Sequence, residues 1–171
     1  MLIQVQDIRA YRPIAANIEQ SRVEVYIKEC EQLDIQKAIG ADEYEHLSQT
    51  PATQWTIEEQ TLFNGGVWED ANDVKHVFAG LKAAECYLAY ARFVRNHPAQ
   101  VTPFGVVVKD GEDSTAASSQ MIASIARDAE QVGKQYLNDA VEYWRAQTAQ
   151  SCERRKTGGA ANLPRYKAIG E

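Results

Sequence analysis

The sequence predicts an all-α protein, a helical bundle of about four to five helices with a short β-strand or hairpin insertion and an extended C-terminal arm. Three observations carry that prediction. Apolar residues recur at three- and four-residue intervals through most of the first 150 positions, the period of helices with one buried face. The run Phe104-Gly-Val-Val-Val-Lys109 breaks that period with β-branched residues, which fit a pleated surface. After Gln150 the chain turns basic and glycine-containing. With 171 residues, 44% of them hydrophobic, a single core is feasible without disulfides. The expected organisation is a helical domain over 1–150, with the insertion at about 101–117, and an arm over 151–171.

In chain order, the first 16 residues are mixed, and Pro13 disfavours a helix just before it. Asn17-Ile-Glu-Gln20 reads as a helix start, an Asn cap with Gln three residues later. Behind it Val23, Ile27 and Cys30, less regularly Tyr26 and Leu33, mark the buried face. Asp34 is read as opening a short second piece that stops at Gly40. Asp42 can cap a further turn or two, with Tyr44 and Leu47 inward, until Thr50-Pro51 ends it. Thr56-Ile-Glu-Glu59 is a capping box, and the helix it opens is cut short by Gly65-Gly66. Asp70, Asn72 and Asp73 offer caps for a central helix running to about Asn96, where His97-Pro98 ends it. Its stripe (Val74, Val77, Phe78, Leu81, Ala84, Leu88, Ala91) is widened by Tyr87, Tyr90, Phe93 and Val94, so it should be covered on more than one side.

Phe104–Lys109 reads as one strand, alone or as half of a hairpin, with Asp110-Gly111 as a tight turn. The longest helix follows from about Ser119 to Gln150, with Ile122, Ile125, Ala129, Val132, Tyr136, Ala140 and Tyr143 near heptad spacing, flanked by Leu137 and Trp144. At about 1.5 Å per residue it spans on the order of 45–50 Å, more than a domain this size needs. Part of it is therefore expected to pack on a neighbouring subunit. Thr157-Gly-Gly-Ala-Ala-Asn162 cannot hold a helix cheaply, so the arm is expected to be extended.

The formal charge is −6 and unevenly spread. Residues 151–171 hold five basic and two acidic side chains (+3), and the preceding 150 hold 13 basic and 22 acidic (−9). An acidic body does not suit wrapping nucleic acid, whereas a basic tail suits docking. The three cysteines form no CxxC, and Cys30 and Cys86 read as small buried hydrophobes. His46, His76 and His97 make no HExxH, and His97 reads as a dipole partner at a helix end. Neither GxxxxGK[ST], GxGxxG nor GxSxG occurs. The acidic pairs Asp42-Glu43 and Glu58-Glu59 sit where helix dipoles favour them. Tyr87, Tyr90, Phe93, Tyr136, Tyr143 and Trp144 read as packing rather than as platforms for bases. No enzyme, catalytic residue, metal site or cofactor is therefore expected. No apolar stretch approaches the roughly 18 residues of a membrane span. Gln4, Gln6 and Asp7 lie where a signal peptide would be apolar, so a cytoplasmic location is expected.

Several ordered motifs are similar to those of a family. They are Phe63-Asn-Gly-Gly-Val-Trp-Glu69, Phe78-Ala-Gly-Leu-Lys-Ala83, Tyr87-Leu-Ala-Tyr-Ala-Arg92 and Val101-Thr-Pro-Phe-Gly-Val-Val-Val-Lys109, preceded by Tyr26-Ile27, Ile39-Gly40 and Glu43-Tyr44 and followed by Leu163-Pro-Arg-Tyr-Lys167. Together they resemble the head–tail connector (head-completion adaptor) proteins of tailed phages and prophages, over most of residues 20–145. The resemblance implies a virion protein at the neck, made in the host cytoplasm, with about a dozen copies in a ring. Its partners would be further copies, the portal protein and tail or neck proteins. DNA would pass without sequence-specific binding through a ring that an acidic lining keeps from gripping phosphates, and no membrane would be involved. The residues assigned to the subunit interface are Phe104, Val106, Val107, Val108 and Lys109, as a strand available for edge pairing. Those assigned to a portal-docking arm are Arg154, Arg155, Lys156, Leu163, Arg165, Tyr166 and Lys167. The alternative is a small helical prophage-encoded regulatory or binding module acting as a cytoplasmic dimer.

Overall fold

The structure is a computed structural model that describes residues 1–15, 18–70, 72–96, 99–102, 105–108 and 118–158, with 99–102, 105–108 and 150–158 described as backbone. It is a mostly all-α protein with small antiparallel hairpins.

Helix α1 (Val5–Tyr11) forms in the segment read as mixed. Pro13 does not prevent it, because the helix ends at Tyr11 and Arg12 takes the extended conformation that a residue before proline requires. Ile3, Val5 and Ile8 enter the core, and Asp7 pairs with Lys82 at 2.7 Å. α2 (Gln20–Cys30) starts after Glu19; the expected cap, Asn17, lies outside the described residues. Asp34 does not open a separate piece. The chain continues from α2 through a π-helical turn (Glu31–Ile35) into α3 (Gln36–Ile39) as one rod. The wider turn brings both Glu31 and Ile35 inward, and Asp34 instead pairs with Arg92. Gly40, at φ 95°, ends the rod. α4 (Ala41–Gln49) follows and buries Leu47. α5 (Ile57–Asn64) opens on the expected box, in which Glu59 N–H donates to Thr56 Oγ1 at 3.2 Å and Thr56 N–H donates to Glu59 Oε2 at 2.7 Å.

The largest departure from expectation comes next in the chain. Strands β1 (Gly66–Glu69) and β2 (Lys75–Phe78) form an antiparallel hairpin, and the central helix α6 (Gly80–Asn96) begins only after it. Asp70, Asn72 and Asp73 are turn residues rather than helix caps. The Asp70 carboxylate accepts the N–H groups of Asn72 at 2.8 Å and Val74 at 3.0 Å, the same chemistry that caps a helix. Asp73 takes φ 60°. The hairpin is closed by two glycines that touch backbone to backbone, Gly65 (φ 82°) and Gly80 (φ 83°). A Cβ on Gly65 would lie 2.5 Å from Phe78 O, and one on Gly80 2.5 Å from Phe63 O.

α6 is covered on several sides, as its wide stripe predicted. α1, α2, α5 and α7 (Ser119–Gly158) all pack on it, and Leu81, Ala83, Ala84, Glu85, Cys86 and Ala89 are 0% exposed. Core side chains such as Ile8, Ile27 and Leu62 each contribute about 1.5–3 kcal/mol by leaving water. Cys30 and Cys86 are buried as expected. α7 runs antiparallel to α6, with Arg95 meeting Glu130, Tyr87 meeting Tyr136 and Phe78 meeting Tyr143. The helices approach closely because Ala126, Ala129, Gly133 and Ala140 face inward, and a Cβ on Gly133 would lie 2.8 Å from Leu88 Cγ. Ile125, expected on the buried stripe, is exposed.

Between α6 and α7, β3 (Ala99–Thr102) pairs antiparallel with β4 (Gly105–Val108). The insertion is thus a hairpin whose first strand starts at 99, and the valine run 106–108 lies in its second strand. The expected turn at Asp110-Gly111 lies outside the described residues. α7 is longer than expected and ends at Gly158, so the first eight residues of the expected extended arm are helical. An established helix propagates into Thr157-Gly158 because each added residue gains a hydrogen bond without the cost of nucleation.

Candidate functional site

The residues assigned to an interface fall at two places. Val106, Val107 and Val108 lie in β4, opposite Val101, Gln100 and Ala99; Phe104 and Lys109 lie outside the described residues. Arg154, Arg155 and Lys156 ride on the last turns of α7 rather than on extended chain. Leu163, Arg165, Tyr166 and Lys167 lie outside the described residues. In chain order the strand precedes α7, and Arg154, Arg155 and Lys156 lie near the C-terminal end of that helix.

A second surface goes beyond these assignments. In the β1–β2 hairpin, Val67 stands opposite Val77 and Glu69 opposite Lys75. Period-two alternation puts these four on the outer face, where Val67 is 61% and Val77 79% exposed. Trp68 and His76 occupy the inner face, stacked at 4.6 Å. There Trp68 meets Tyr143 edge-on at 6.0 Å and Phe78 stacks on Tyr143 at 4.9 Å. The Tyr143 hydroxyl donates to Glu58 O at 3.2 Å, which ties α5, the hairpin and α7 together. His76 Nε2 lies 3.2 Å from Asp70 Oδ2, and the Asp70 carboxyl is held below its ordinary range first by the turn N–H groups and then by His76. Gly-Val-Trp-Glu and Lys-His-Val-Phe around Asp-Ala-Asn-Asp carry the sequence signal for this hairpin. That signal is masked because Val74, Val77, Phe78 and Leu81 also fit helical spacing.

An acidic pair lies in the core. Glu85 of α6 is 0% exposed and Glu31 of the π turn 3%. Glu31 accepts from the Leu2 N–H and from the Tyr44 hydroxyl at 3.1 Å. Burial, and then the neighbouring Glu31, push the Glu85 carboxyl well above its ordinary range. Neither Glu85 oxygen has a hydrogen-bond partner among the described residues, so its buried environment favours the neutral form of the carboxyl over the charged one. Burial and Glu31 also push the Tyr44 phenol up to about 12. This pair is sealed from solvent, and Glu31 ties the N-terminal Leu2 and Tyr44 of α4 to the π turn.

Among the described residues no group of three or more His, Cys, Asp or Glu is placed to hold a metal ion, and no helix is long and apolar enough to cross a membrane. Fold and surface together define a mostly helical protein that presents two small hairpins and a long projecting helix. Residues 35–156 match the family of unknown function DUF6712, and the chain belongs to that family. No curated protein matches it, and no solved structure does.

Proposed function

We propose that the chain is a structural virion protein, a head–tail connector that forms a ring between portal and tail. The observation that carries this reading is the mismatch between its two longest helices. α7 has 40 residues and α6 has 17, or about 60 Å against 25 Å at 1.5 Å per residue. Beyond the end of α6, Met121 is 57% and Ile125 37% exposed, apolar surface left uncovered among the described residues. The hairpins add to it, since each strand of a two-stranded sheet leaves one edge without a partner, an arrangement open to strand addition. The acidic body fits a lumen that does not hold the genome.

The test is association with particles. The full chain should co-sediment with capsids that carry portal, and negative-stain images should show a ring at the vertex. A stable dimer that never joins particles would replace this reading with a small regulatory or binding module of a prophage.

A further inference from the structure

Between the β1–β2 hairpin and α7 lies a cleft of about 120 Å³ lined by Trp68, His76, Val77, Phe78, Asp139 and Glu142. Its wall is aromatic, the indole of Trp68 stacked on the imidazole of His76. Its rim carries two carboxylates three residues apart, on one face of α7. Asp139 accepts a hydrogen bond from the Gln135 amide at 2.8 Å. Among the described residues no ion pair engages Asp139 or Glu142. An indole beside two uncompensated carboxylates suits a guanidinium or ammonium group, which gains from the ring face and from the charges together.

The same sequence supplies such groups in its +3 C-terminal segment. Arg154, Arg155 and Lys156 sit on α7 itself, about 18–21 Å beyond Glu142 along a straight helix. They cannot bend back into the cleft of their own chain, whereas those of another copy are under no such constraint. We infer that the cleft receives a basic side chain from Arg154–Lys156 of a second copy. The two surfaces in contact differ, so the interaction runs head to tail, the kind that closes into rings. The inference deepens the connector reading and rests on it for its setting, but the contact itself can be measured on the protein alone.

The experiment uses three full-length chains at low salt: the natural one, a cleft variant (Asp139→Lys with Glu142→Lys) and a helix-end variant (Arg154→Glu, Arg155→Glu and Lys156→Glu). Neither Asp139 nor Glu142 belongs to the buried stripe of α7, and circular dichroism checks that each chain is folded. In sedimentation velocity the natural chain should self-associate, and each variant alone should lose at least about tenfold in affinity. An equimolar mixture of the two variants should associate again. The cleft variant still carries the natural basic segment, the helix-end variant still carries the natural acidic cleft, and the two can meet. Trp68→Phe should abolish the fluorescence change that accompanies association. Variants that associate as tightly as the natural chain, a mixture that stays apart, or a natural chain that stays monomeric would overturn the inference. So would a Trp68 signal independent of protein concentration, since that places the basic segment in its own cleft. Self-association through the cleft without co-sedimentation with capsids would sink the connector reading and leave this one standing.

Discussion

Glu85 and Glu130 titrate in opposite senses, and the pH dependence of stability follows from them. The Glu85 carboxyl is raised by burial and by Glu31, so the folded chain holds a proton that the unfolded chain gives up. Its contribution is complete below the ordinary glutamate value of 4.5 and declines as pH rises from there toward the raised folded value. Glu130 is lowered to about 2, by hydrogen bonds first from Lys134 and then from Arg95. Its contribution is present above the ordinary value of 4.5 and is lost as pH falls toward 2. Urea melts across pH should therefore show stability falling on both the acid and the alkaline side. Glu85→Gln keeps the size and polarity of the side chain and removes the titration. It should raise stability at pH 8 by about 1–3 kcal/mol and flatten the alkaline limb, while leaving the acid limb unchanged. At the same scale, Gly80→Ala must put a Cβ against Phe63 O at a positive φ. It should lower stability by about 2 kcal/mol or more, read as a drop in melting temperature.

At the scale of elements, the α6–α7 contact depends on small residues. Gly133→Ala sets a methyl group 2.8 Å from Leu88 Cγ and should cost about 1–3 kcal/mol by overpacking. Thr56→Ala removes one half of the α5 capping box and should cost about 1 kcal/mol; thermal melts check both. Val107→Pro deletes a ladder donor in β4 and should impair particle assembly more than it lowers the melting temperature. The helices were largely legible from spacing, because Val23, Ile27, Leu47, Leu62, Leu81 and Leu88 recur at helical intervals and their stops at Gly40, Thr50 and Gly65 are chemically marked. The β1–β2 hairpin was not, since an aspartate that accepts two backbone N–H groups serves a turn and a helix cap alike. The family-like motifs around Gly65 and Gly80 owe their glycines to this closure: no side chain fits where the two backbones touch. The cleft was invisible for a further reason. Asp139 and Glu142 lie some 70 residues from Trp68, and only the fold brings them together.

For the whole molecule, the charge asymmetry and the long helix set the expectations. A chain shortened before Ser151 should keep its bundle, since no buried side chain among the described residues lies beyond Tyr143, and it should fail to join particles. Circular dichroism and co-sedimentation read the two outcomes separately. α7 has a mechanical consequence as well. Arg95 of α6 and Phe78 of the β1–β2 hairpin hold it between about Glu130 and Tyr143, near its middle, so a rigid tilt of the rod would pivot there. A tilt of about 10° at that point sweeps each tip through roughly 5 Å, given about 30 Å of rod on either side. Such a tilt would move the two tips in opposite directions, which paired spin labels near residues 121 and 149 would register.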